Sequence, residues 1–200
     1  MYRLTPGLEL ILASASPRRR ELLGRIGLEF AVAPAHVDET TAPGETAQQA
    51  AQRLAQAKAL ATPAGPGQVV LAADTLVTID GVILGKPADQ AQAVAMLERL
   101  NGREHQVVTG FHLRLPGGQR GGLGLSNVRF RRLAPAEIAA YVRSGEPMGK
   151  AGAYAVQGLG AALVEAVSGS YTNVVGLPLA AVVKLLLELG LIAPNAEERP

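Results

Sequence analysis

"QVVLAADTLVTIDGVILGKP", residues 68–87, decides the fold class. An apolar run of strand length, "QVVLAAD", closes on an acid, and a second run, "TLVTI", leads into Asp80-Gly81. Asp-Gly between two apolar runs closes a tight hairpin, because its central residues take positive φ. Pairing is therefore antiparallel here. Just upstream the order is different: "LELILAS" (8–14) reads as a largely buried strand, "RRRELLGRIG" (18–27) as a helix opened by Pro17, and "EFAVAPA" (29–35) as a second short strand. Hairpins interspersed with helices, without regular strand–helix alternation, predict an α/β fold with a mixed central sheet.

Outward from this unit, "ETAQQAAQRLAQAKALA" (45–61) is an Ala-rich helix ended by "TPAGPG". "ADQAQAVAMLERLNG" (88–102) is amphipathic, with Ala93, Met96, Leu97 and Leu100 on one face. Two strands, "HQVVTGFHLRL" and "GLGLSNVRFRRL", are expected to join through a loop "PGGQRG" (116–121). "APAEIAAYVRSGEP" is a helix, "GKAGAYAVQGLG" (149–160) a glycine-rich loop, "AALVEAVSG" a strand, and a last helix runs from Pro178 to Gly190. The expected organisation is a single domain over 8–192 with a polar tail, 193–200, and the terminal stretch "LIAPNAEERP" (191–200) reads as loose.

Composition narrows the function. With no cysteine, disulfide scaffolds, thiolate catalysis and Cys-ligated metals are excluded. Nineteen Lys and Arg against seventeen Asp and Glu leave a net charge of +2, too small to argue for nucleic acid, and the absence of Trp leaves little to stack bases on. "PLAAVVKLLLELG" is interrupted by Lys184 and Glu188, well short of the ~20 apolar residues a membrane span needs. A soluble cytoplasmic protein is expected.

The residues that break pattern carry the chemistry. On a helix advancing about 100° per residue, Arg19 falls in the middle of the face set by Leu22, Leu23 and Ile26, Arg18 on its flank and Arg20 away from it. A buried-face arginine either binds an anion, with Ser14 and Ser16 as neighbouring hydroxyls, or pairs with a carboxylate such as Glu21. Lys58 lies close to the apolar face set by Ala47, Ala50, Ala51, Leu54 and Ala61, so it either snorkels or reaches into a cleft. Asp74 at the end of a strand suits a base or metal ligand, or equally an Asx-type turn. Lys86 in "LGKP" can hold a phosphate as a point charge. "HVDE" offers His36, Asp38 and Glu39 to a hard divalent ion, or simply to solvent. Lys150 sits among glycines that match neither the Walker A nor the dinucleotide pattern. The set suits a small polyphosphate with a divalent cation.

Six ordered blocks, "ASASPRRRELL", "VDE", "AADTLV", "GKP", "KAGAYAVQG" and "NVVGLP", together resemble the Maf family of nucleotide pyrophosphatases over about residues 10–189. The resemblance implies an α/β fold similar to inosine triphosphate pyrophosphatases, with a substrate cleft between two lobes, a cytoplasmic homodimer, and Mg²⁺- or Mn²⁺-dependent hydrolysis of a nucleoside triphosphate to monophosphate and pyrophosphate. Carried over by motif, Asp74 is the catalytic base and, with Glu39, a metal ligand. Ser14, Arg19, Lys58 and Lys86 bind phosphate. Arg18, Thr75 and Gln157 govern nucleotide choice and resemble the branch acting on dTTP and UTP. The sister branch acting on 7-methyl-GTP has Gln after the catalytic Asp and Glu in the last position. The alternatives are a pyrophosphatase of the same fold acting on 7-methyl-GTP or on modified or other nucleotides, and a nucleotide-binding, septum-regulating protein.

Overall fold

Leu12, Leu71 and Leu113 stand in register on three neighbouring strands, each with no exposed surface. Each contributes about 1.5–3 kcal/mol by leaving water. This row fixes the middle of the sheet in the computed structural model, which describes residues 1–195. The strands are β2 (Glu9–Leu12), β4 (Gln68–Ile79) and β6 (Glu104–Leu115). With β3 (Ala31–Val32), β5 (Val82–Leu84), β7 (Gly118–Phe130) and β8 (Val164–Gly169) they form a seven-stranded sheet in the order β3-β2-β4-β6-β7-β8, β5 pairing separately with β4. β3, β2 and β4 are parallel, and every other pair is antiparallel, so the sheet is mixed as expected.

Helices cover both faces. α1 (Pro17–Arg25) is capped by Ser16, whose hydroxyl accepts from the Arg19 amide, and α2 (Ala47–Ala61) by a capping box of Thr46 and Gln49. α3 (Gln90–Leu100) is capped by Asp89, and α4 (Pro135–Arg143) opens with proline. The short α5 (Tyr171–Val175) precedes α6 (Leu179–Glu188). One core packs α1 and α6 on β2, β4 and β6 around Leu23, Leu177 and Leu186, and a second packs α3 and α4 on the far halves of β4, β6 and β7 around Leu97, Leu100 and Phe130. β4 and β6 run through both. Among the described residues, no helix is long and apolar enough to cross a membrane.

Several local expectations change. β4 is one continuous strand of 12 residues, so Asp74 lies inside it instead of ending it. The antiparallel ladder to β6, from Val70 to Thr78, satisfies the backbone straight through the acid. "PGGQRG" is mostly strand: Leu115 pairs with Gly118 across a two-residue turn. "EFAVAPA" yields only two strand residues. On α2, Ala61 is exposed, and Ala55 and Ala59 complete the buried face. Leu191–Asn195, expected to be loose, includes β9 (Ile192–Pro194), which pairs with β1 (Tyr2–Leu4) and buries Leu191 and Ile192. Residues 196–200 lie outside the described residues.

The contact that positions the site is between α2 and β6. Gly110 faces the helix backbone so closely that a Cβ would lie 2.3 Å from the Ala51 carbonyl oxygen and 2.7 Å from the Gln52 nitrogen. Neither atom can yield without moving the helix. Gly110→Ala should therefore cost about 2–3 kcal/mol in urea denaturation; a change within about 0.5 kcal/mol, the usual range for a surface substitution, would mean that α2 does not rest on this strand.

Candidate active site

A cavity of about 440 Å³ opens where the two cores meet, and the nine residues that the motifs assign to the site line it, Ser14, Arg18, Arg19, Glu39, Lys58, Asp74, Thr75, Lys86 and Gln157, whereas Asp38 of the "HVDE" loop does not. Its location follows from pairing on one edge of β4. β2 covers Gln68–Leu71 and β5 covers Val77–Ile79, so the stretch between them has no strand neighbour on that side. Successive residues of a strand point to opposite faces. Asp74 thus projects toward α2, with Val70, Ala72 and Leu76 in the same phase, while Thr75 projects toward α1 and α5.

On the α2 face a chain of alternating charge forms. Lys58 Nζ donates to Asp74 Oδ1 at 2.5 Å and to Glu39 Oε1 at 2.6 Å, and Lys86 Nζ donates to Glu39 Oε2 at 2.6 Å. Lys58 and Asp74 are 8% and 7% exposed. This settles both open choices made from sequence: Lys58 neither snorkels nor points to solvent, and Asp74 is not a turn acid. Removing one partner of so buried a pair leaves an uncompensated charge, at about 3–5 kcal/mol. Burial alone would raise the pKa of Glu39, but hydrogen bonds and charge from Lys58 and Lys86 outweigh it and bring it down to about 2.

On the other face, the half-buried Arg19 is locked. Nε donates to the Gly176 carbonyl at 2.7 Å, Nη1 to Ser14 Oγ at 3.1 Å and Nη2 to Thr75 Oγ1 at 3.1 Å. The carbonyl ends α5, where a cation complements the helix dipole. Burial lowers the Arg19 pKa, opposed by Asp74. The carboxylate alternative fails because Glu21 pairs with Arg25 instead. Thr75 Oγ1 also lies 2.9 Å from Thr109 Oγ1, so it bridges Arg19 to β6. Arg18 and Gln157 differ: among the described residues, neither side chain takes a protein hydrogen bond. Arg20 is exposed.

Side chains that precede the glycine-rich loop in sequence hold it in place. The Glu146 carboxylate accepts from the Leu159 and Gly160 amides at 2.9 and 2.8 Å, and Tyr141 Oη from the Ala155 amide at 3.2 Å. These side chains replace the ladder the loop lacks. Tyr154 on the cavity wall is anchored from behind by His105, Nε2 to Oη 2.8 Å, and burial lowers the His105 pKa to about 4. Neither stands out in the sequence, because an aromatic in a small-residue loop and a lone histidine on a strand both read as packing. Lys150 and His36 also line the cavity.

The donor set fits a hard divalent ion. Glu39 and Asp74 flank one ammonium with carboxylate oxygens, and Mg²⁺ is commonly held by one or two carboxylates completed by water and phosphate. Among the described residues, no group of three or more His, Cys, Asp or Glu could hold a metal.

A family model described as Maf-like protein matches residues 9–189. A dTTP/UTP pyrophosphatase of Syntrophotalea carbinolica is 46% identical over 96% of this chain and 89% of its own length. One of Symbiobacterium thermophilum is 49% identical over 91% and 94%. Among solved structures, a HAM1 protein of Coxiella burnetii is 20% identical with a TM-score of 0.49, covering 90% of this chain and 99% of that one.

The Glu39 pKa gives a pH test. Its folded value lies below the ordinary 4.5, so its stabilisation is fully present above that value and is lost as pH falls toward about 2. Denaturant melts of wild type and Glu39→Gln should differ above about pH 5 and converge on acidification. A difference unchanged from pH 6 to pH 2.5 would show that the Glu39 charge adds nothing to the fold.

Proposed function

The chain belongs to the Maf-like protein family, and we propose on that premise that it hydrolyses dTTP and UTP to the nucleoside monophosphate and pyrophosphate. The observation that carries this reading is the gathering in one cavity of Ser14, Arg19, Lys58 and Lys86 with the carboxylates of Glu39 and Asp74. Cations beside a partly buried acid suit a polyanion that must be attacked by water. We also propose, on resemblance alone, a homodimer working in the cytoplasm with Mg²⁺ or Mn²⁺.

In the proposed reaction a water oxygen forms a bond to the α-phosphorus, and the bond from that phosphorus to the α,β-bridging oxygen breaks. Pyrophosphate leaves, and the proton of the water passes to Asp74. In the free protein Lys58 holds Oδ1 of this carboxylate. Glu39 and Asp74 would hold the divalent ion, which supplies positive charge against the phosphate oxygens. Lys58, Lys86 and Arg19 offset charge on the triphosphate and on the departing pyrophosphate. Arg19 arrives oriented, since its contacts with Ser14, Thr75 and Gly176 fix the guanidinium before substrate binds.

Nucleotide choice is assigned to the opposite wall. Arg18 and Gln157 present polar groups not committed to the protein, and uracil and thymine offer two carbonyls and one N–H to such an edge. Burial lowers the pKa of Lys150, and the charge of Arg18 lowers it further, so two cations share this part of the cavity. A 7-methylguanine base is itself cationic. That charge favours the neutral pyrimidines over the alternative substrate.

A panel of nucleoside triphosphates assayed for pyrophosphate release, with EDTA and with each metal, tests the reaction directly. We expect dTTP and UTP to lead and EDTA to abolish turnover. Asp74→Asn should lower kcat about 10²–10⁴-fold while nucleotide binding persists; near-normal turnover would remove Asp74 from proton transfer. Gln157→Glu should erode the preference for dTTP and UTP over purine nucleotides, because a carboxylate repels the base carbonyls. Unchanged ratios across the panel would overturn that assignment.

A further inference from the structure

The two carboxylates assigned to the metal are already engaged by ammonium groups. Lys58 Nζ touches Glu39 Oε1 and Asp74 Oδ1, and Lys86 Nζ takes the second oxygen of Glu39, so three of the four carboxylate oxygens carry a lysine. The two positive and two negative side chains sum to zero charge. A dication entering alone would meet two ammonium groups beside its ligands, and a triphosphate entering alone would meet two carboxylates. Entering together, the phosphates take the lysines and the metal takes the carboxylates, so opposite charges stay adjacent throughout.

We propose that Lys58 is an internal placeholder cation. It occupies the space between Glu39 and Asp74 in the free protein, and its transfer to phosphate opens the metal site, so metal and nucleotide bind with strong positive cooperativity. The proposal rests on the reading of the cavity as a triphosphate site, and it adds what that reading lacks, a coupling between the two ligands.

Three further observations support it. Among the described residues no third metal-ligating side chain joins the two carboxylates, so the coordination shell depends on oxygens that a polyphosphate brings. Arg19 cannot make this exchange, because three protein acceptors lock its guanidinium. Lysine suits it: its ammonium rides on a flexible stem with rotatable donors and exchanges one oxygen partner for another without a fixed plane. The helix carrying it need not move, since α2 is seated on Gly110. Linkage requires the effect to be reciprocal: whatever factor the nucleotide adds to metal affinity, the metal adds to nucleotide affinity.

Mn²⁺ titrations followed by electron paramagnetic resonance of the free ion test this without turnover. For the wild type, Mn²⁺ should bind ~10–100-fold more tightly in the presence of saturating α,β-imido-dUTP, which cannot be cleaved at the reacting bond, than in its absence. Calorimetry of the analogue with and without Mn²⁺ should return the same factor. Equal Mn²⁺ affinity with and without bound analogue overturns the proposal. A second arm uses no nucleotide: Lys58→Met, its folding checked by thermal melting, should bind Mn²⁺ alone about tenfold or more tightly than wild type, whereas Lys58→Arg, which keeps the charge, should not. Equal affinity of wild type and a folded Lys58→Met likewise overturns it. If the analogue binds in neither metal state, the nucleotide assignment fails, and the second arm still decides the role of Lys58.

Discussion

The site depends on how closely α2 can lie on the sheet. Gly110, directly opposite Asp74 in the β4–β6 register, leaves the strand surface bare where the helix backbone crosses it. Ala50, Ala51, Ala55 and Ala59 of α2 bury completely, and a thin helix–sheet layer results. At this spacing Lys58 spans the distance to both Asp74 and Glu39. With a larger residue at 110 or a bulkier α2, the helix would stand off and the ion pairs would lengthen. The small side chains that make the chain unusual in composition thus have a positional consequence.

The sheet itself creates the opening. β4 takes a parallel partner on its first half and an antiparallel one on its last, and between them its edge is uncovered. A strand edge presents both faces to anything lodged against it, which is why neighbours in sequence, Asp74 and Thr75, serve opposite walls of one cavity. The chemistry divides accordingly. Exchangeable ion pairs through Lys58 and Lys86 lie on one side, and a fixed guanidinium locked by Ser14, Thr75 and Gly176 lies on the other.

Much of the site was legible because its residues violate local rules. Arg19 on an apolar helix face and Lys58 among alanines demanded partners, and the structure supplies them. The mixed sheet was legible in the Asp80-Gly81 hairpin. Other features were not. Asp74 read as a strand end because an acid interrupts an apolar run, but an ion pair lets the ladder continue through it. "PGGQRG" read as a loop from its glycines, yet pairing with β6 carries it into a strand. Leu191–Asn195 read as a tail because nothing local showed that Tyr2–Leu4, at the far end of the chain, would pair with it. His105 and Tyr154 left no periodic trace at all.

The sequence by itself determined the main helices and the inner strands, that the sheet would be mixed, and which charged side chains could not remain on apolar faces unpaired, because periodicity, turn chemistry and the cost of burying charge act over a few neighbouring residues. Tertiary structure alone decided that Glu39, Lys58, Asp74 and Lys86 form one alternating chain, that Asp74 and Thr75 face opposite walls, and that three protein acceptors hold Arg19. Those facts depend on the close seating of α2 at Gly110 and on the uncovered edge of β4, which arise only when segments distant in the chain pack together.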